Sequence, residues 1–213
     1  MDESLTQAAP DIGAFLDPEA EIEHVKGAFL PHWRQPGVVY FTTFRLADSL
    51  PDELLAHWTF ERTKWVEAHP LPWSEEVKRD YYQRFPRQLQ TWLDAGHGSC
   101  ILQQRECREL VENALLHFDE VRYRLGEHVV ASNHVHALVT PLDDFDLGSI
   151  LHSWKSFTSH ELAEISEVQE RLKGFWESRQ GRRTIWQKES FDHIVRSSEA
   201  LERIGAYNRR HNR

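Results

Sequence analysis

Between residues 106 and 140 the hydrophobic pattern changes period, and that change limits what the chain can fold into. Leu110, Val111, Ala114, Leu115 and Phe118 recur at helical spacing, which predicts a helix over 106–118. From Tyr123 the spacing becomes two. The pattern predicts a strand over 123–131, a tight turn at Ser132-Asn133 and a second strand over 134–140. A helix feeding a strand hairpin commits the chain to a mixed fold.

The flanking segments extend this reading. Val38 to Phe44 is β-branched and aromatic, as a buried strand would be. Helical spacing predicts helices over 52–68 and 75–93, and Cys100 to Gln103 reads as a short strand. A helix begins near Leu147 with Ile150, Leu151, Trp154 and Leu162 on its apolar side. A polar stretch with Gly174 and Gly181 then leads to a strand over 191–195 and a terminal helix carrying Leu201, Ile204 and Tyr207. An antiparallel sheet with helices on one face satisfies this order, as in a ferredoxin-like α+β fold. The 213 residues fit one domain over 31–213, preceded by an acidic, flexible segment over 1–30.

Composition excludes several classes. With 40% hydrophobic and 28% charged residues the chain is neither collagen-like nor wholly disordered. No apolar run approaches the ~20 residues that span a bilayer. The start, MDESLTQAAPDIGAF, lacks the basic and apolar parts of a secretion signal. Cys100 and Cys107, seven apart, form neither a metal knuckle nor a disulfide framework, so a cytoplasmic location is expected. The net charge of −9 argues, taken alone, against nucleic acid. Its distribution argues otherwise. Seven acidic residues face Lys26 alone over 1–30, a net of −6, whereas nine basic residues face four acidic ones over 179–213, a net of +5. Local charge is what meets a phosphate backbone.

Two constellations carry chemistry. In Asn133-His134-Val135-His136, His134 and His136 point to one side of a strand and could share a divalent metal. A pair of half-exposed strand histidines is the plainer alternative. On the last helix Tyr207 and His211 are four apart and share a face, although Tyr207 also continues the Leu201, Ile204 stripe. Tyr40, Tyr81 and Tyr82 have no metal ligand four residues on. Tyr123 has Glu127, but on a strand that spacing spans ~13 Å, so Tyr123 competes only if the segment is helical.

The two constellations occur together with VVYFTTFRLADSLP, HGSCILQ, ENALLHFD, VVASNHVHALVTPL, HSWKSFTSHE and WQKESFDHIVRSSEALERIGAYNRRH, in that order. On these stretches the sequence resembles the IS200-like, REP-associated tyrosine transposases, the single-tyrosine HUH nucleases, over about residues 36–213. The resemblance implies a ferredoxin-like fold and cleavage and rejoining of single-stranded DNA at hairpin-forming sequences, through a 5′-phosphotyrosine. It implies Tyr207 as nucleophile and His134, His136 and His211 as ligands of Mg²⁺ or Mn²⁺. His211 stands where the family usually has Asn or Gln, and Asn212 is the alternative ligand. Lys155, Arg203, Arg209 and Arg210 are the expected DNA contacts. A nucleoid-associated protein of the bacterial cytoplasm, as monomer or homodimer, is the implied setting. A DNA-binding protein of the same fold that has lost catalysis is the competing function. A histidine-triad hydrolase is set aside because Leu138 stands where that motif needs a further histidine.

Overall fold

The computed structural model describes residues 12–26, 31–70, 73–142 and 144–211. Its centre is a four-stranded antiparallel sheet of β3 (Tyr40–Arg45), β4 (Tyr123–Val130), β5 (His134–Pro141) and β6 (Phe191–Ile194), in the spatial order β4-β5-β3-β6. With α4 (Arg105–Leu116) between β3 and β4, and α5 (Leu147–Glu164) and α6 (Ser166–Ser178) between β5 and β6, this is the ferredoxin-like βαββαβ path. The register is set by hydrophobic alternation. Tyr40 and Phe44 of β3 and Val135, Ala137 and Val139 of β5 turn to one face. There they meet Cys107, Val111 and Leu115 of α4 and Ile150, Leu151 and Trp154 of α5. A one-residue slip would send this set to the other face, so the register is strongly specified.

The other face is covered too, which differs from the expectation of helices on one side. The terminal helix α7 (Ser198–His211) packs Leu201 and Ile204 against Phe41 and Leu138. Gly205 makes this approach close: a Cβ there would lie 2.7 Å from the Glu127 carboxylate of β4. Asn208, buried, donates to the Glu127 carbonyl at 3.1 Å, and Arg209 pairs with the Glu127 carboxylate. These three residues anchor the helix that carries Tyr207.

Between β3 and α4 lies a helical insertion with its own aromatic core. It comprises α1 (Asp52–Ala68), α2 (Glu75–Arg84) and α3 (Pro86–Asp94), packed through Trp58, Trp65, Tyr81 and Phe85. The helix expected over 75–93 is thus two helices. Pro86, lacking an N–H, occupies the first position of α3. The segment expected as a strand at Cys100 is a 3₁₀ turn, Ile101–Gln103. Cys100 takes a left-handed backbone there (φ 49°), and Leu102 N–H bonds the Ser132 carbonyl rather than a strand partner. The polar stretch before β6 contains α6, whose Val168, Leu172 and Trp176 join the main core despite Gly174.

The N-terminal segment, expected to be flexible, is docked where it is described. Ala14 bonds Gly37 and Val39, Leu16 N–H bonds the Val195 carbonyl, and Ile12 lies over Gly126, where a Cβ would clash with it. A two-stranded ribbon, β1 (Glu23–Lys26) with β2 (Pro31–Arg34), follows. His32 and Arg34 of β2 both bond the buried Asp192 of β6, at 2.5 and 2.6 Å. Burial pushes the Asp192 carboxyl up, but these partners outweigh it and hold it below the usual carboxylate range. Residues 1–11 and 27–30 lie outside the described residues.

Candidate active site

The histidine pair sits in the middle strand pair of the sheet. His136 is opposite Thr43 on β3 and Val129 on β4, while His134 is opposite Arg45. Both imidazoles turn to the α7 side, and both residues are buried. Their ring centroids are 4.6 Å apart. Burial draws the Arg45 guanidinium down to about 10, and it donates to Ser49 Oγ.

Each ring is oriented through Nδ1. Asn133 donates its Nδ2 to the His97 carbonyl at 2.9 Å, which fixes the amide so that Oδ1 faces His134. Oδ1 can only accept, so at 2.8 Å it takes a proton from His134 Nδ1. In the neutral ring that leaves Nε2 of His134 as the acceptor nitrogen. His136 Nδ1 lies 2.7 Å from Thr43 Oγ1. Oxygen partners on Nδ1 are the outer arrangement that metal-binding histidines use, leaving Nε2 to face a cation. The donor chemistry thus suits a divalent ion. Among the described residues, no group of three or more His, Cys, Asp or Glu is gathered as a metal cluster.

Tyr207 meets the pair from α7. Its ring stands edge-on to His136, with centroids 5.4 Å apart. The phenol is gripped by α3: Gln90 Nε2 donates to Oη at 2.7 Å, and Oη donates to Asp94 Oδ1 at 3.0 Å. Asp94 Oδ1 is also 3.8 Å from His134 Nε2, and Gln90 Nε2 is 3.4 Å from the same nitrogen. Gln90 and Asp94 are four apart and so share a helix face. Gln90, Asp94 and Thr43 were not expected at the site, and Asn133 was expected only as a turn residue beside the histidines. The i, i+4 spacing of Gln90 and Asp94 was visible, but nothing in the chain tied that face to Tyr207, 113 positions on.

The remaining predicted residues are dispersed. Arg203 is exposed and lines a cavity that Tyr207 also borders. Arg209 is engaged with Glu127. Lys155, half-buried on α5, donates to the Lys188 carbonyl at 2.7 Å, and burial lowers its amine to about 8. It lies with the loop before β6 rather than with the histidines. The side chains of Arg210 and His211, and Asn212, lie outside the described residues. Tyr123 is on a strand, buried on the opposite face, with Oη donating to the Leu115 carbonyl and accepting from Trp154 Nε1. Both bonds tie it to the core.

No family model matches the chain, and no curated protein matches it. Solved structures similar to it include two described as transposases. One is a REP-associated tyrosine transposase bound to a REP hairpin, 13% identical, with a TM-score of 0.40, covering 84% of this chain and 70% of that one. The other is a protein assigned as a transposase from Deinococcus radiodurans, 9% identical, with a TM-score of 0.32, covering 82% and 90%.

Proposed function

We propose that the chain is a metal-dependent tyrosine transposase or nuclease that cuts and rejoins single-stranded DNA at hairpin-forming sequences. The observation that carries this reading is the phenol of Tyr207 beside the His134–His136 pair, bonded to a carboxylate. Tyr123, buried in the core, donates instead to the Leu115 carbonyl, whereas Tyr207 is only partly buried and donates to a side-chain carboxylate.

In this reading Tyr207 Oη attacks the phosphorus of a phosphodiester while Asp94 takes the phenolic proton. The bond from phosphorus to the 3′-oxygen breaks, and that oxygen takes the proton, passed on from Asp94 through water. The products are a 5′-phosphotyrosine and a 3′-hydroxyl. The phosphoester is retained, so a 3′-hydroxyl can attack the adduct, return the proton to Tyr207 and rejoin a strand. Gln90 holds Oη in line, and the Asn133 and Thr43 contacts hold the imidazoles. His134 and His136 would hold Mg²⁺ or Mn²⁺, with His211 as third ligand. Bound there, the ion would withdraw charge from the phosphate oxygens. Exposed Arg196 and Arg203 would meet the strand.

The test is incubation with labelled hairpin DNA carrying single-stranded flanks, with and without Mn²⁺, followed by a denaturing gel. A labelled, protein-sized band that requires the metal is expected. DNA retained in a native gel without any such band would favour a binding protein without catalysis.

A further inference from the structure

A cavity of about 540 Å³ opens beside Tyr207, between α3, β6 and α7. This size lies in the range that encloses small ligands. Its walls are mostly apolar, with Leu89 and Ile204 beside the aromatic rings of Phe41 and Phe191 from the sheet and Tyr82 from the insertion. Two features do not suit a pocket for a purely apolar ligand. Arg196 and Arg203 both line it and are exposed. The wall also carries His193, whose ring lies 5.4 Å from Phe41 and whose enclosed Nδ1 has no hydrogen-bond partner among the described residues. Burial draws His193 down to about 4, so it is a neutral polar group at physiological pH.

We propose that this cavity receives one nucleobase of the strand being cut, unstacked from its neighbours, while Arg196 and Arg203 hold the adjoining phosphates. The proposal rests on the DNA-cleaving reading and names the part of the substrate that the pocket takes. Aromatic walls fit a flat heterocycle, which has a π-face whatever the base. The neutral histidine gives a polar contact without attracting a counter-ion. Because Tyr207 forms one wall, an inserted base would sit within a nucleotide of the attacked phosphate. A base held there would set the cleavage position on a flexible strand.

The experiment uses the full chain and four probes, the deoxynucleoside 5′-monophosphates, against 2-deoxyribose 5-phosphate as the baseless control. Binding is followed by NMR through the His193 ring resonances, assigned with His193→Phe. At least one mononucleotide should bind about tenfold or more tighter than the sugar phosphate, since stacking one base on aromatic side chains is worth ~1–3 kcal/mol. It should also shift the His193 signals. Filling the cavity with Leu89→Trp, or with Ala200→Leu should the first not fold, should remove that preference. Equal binding of the sugar phosphate and all four mononucleotides would overturn the proposal, as would a base preference that leaves the His193 signals unmoved. Neither result depends on Tyr207 forming an adduct. Loss of the pocket and loss of the cleavage reading are therefore separate outcomes.

Discussion

Tyr207 donates its phenolic proton to Asp94 across 3.0 Å, from a helix at the end of the chain to one inside the insertion between β3 and α4. A phenol with an unperturbed pKa of ~10 is a weak nucleophile at neutral pH. A carboxylate within hydrogen-bond reach is what general-base catalysis needs. Gln90, one turn earlier on α3, adds a donor that keeps Oη in place.

Asp94→Asn should therefore slow adduct formation while leaving the fold intact. The amide still accepts from Tyr207 but cannot take its proton. A loss of ~10²-fold or more in single-turnover rate is expected, the usual scale of general-base assistance. Rates of wild type, Asp94→Asn and Gln90→Ala on one labelled hairpin check this. Gln90→Ala, which removes a donor to both Oη and Asp94 Oδ1 but leaves the carboxylate, should fall between the other two.

Stability should depend on pH through His193. Burial lowers its folded pKa to about 4, with Asp192 pulling it up and Arg196 pushing it down. The unfolded chain then binds a proton near ~6.5 that the folded chain refuses. The folded state is favoured fully above that value and loses stability as pH falls towards 4, by up to about 3 kcal/mol. Urea unfolding of wild type and His193→Phe at pH 7 and pH 4.5 measures it. The variant should lose less stability between the two pH values.

The seat of α7 can be tested at Gly205. An alanine in a helix is ordinarily worth about 1 kcal/mol over glycine. Here its Cβ would meet the Glu127 carboxylate at 2.7 Å, and Arg209 holds that carboxylate. Crowding of this kind costs ~1–3 kcal/mol, so Gly205→Ala should be neutral or destabilising in the wild type. In a Glu127→Ala background the same change should stabilise by about 1 kcal/mol. Denaturant midpoints of the four proteins give the coupling.

How much of this was legible in the sequence follows the range of the forces involved. The hairpin and the shared side of His134 and His136 follow from a local period of two. The terminal helix and its Leu201, Ile204, Tyr207 stripe follow from a local spacing of three, close to one helical turn. Helix α6 was missed because its apolar residues, Val168, Leu172 and Trp176, are sparse among charges and Gly174, and only the tertiary core makes them a stripe. The 3₁₀ turn at Ile101 looked like a strand because short apolar runs carry no period. Asp94 and Gln90 could not be tied to Tyr207, since only the packing of the aromatic insertion carries α3 to the site. Docking of Ile12 and Ala14 escaped for a related reason: it depends on Gly126 and on the edges at Val38 and Val39, not on the segment itself.

In the proposed reaction Tyr207 becomes covalently joined to DNA. The most direct measurement is protease digestion of the adduct formed with hairpin DNA and Mn²⁺, followed by mass spectrometry of the peptide carrying the nucleotide. A 5′-phosphonucleotide on Tyr207 is expected, and no adduct from Tyr207→Phe, whose ring keeps its contact with His136. A nucleotide mapped to any other residue, or an adduct that survives Tyr207→Phe, would contradict it.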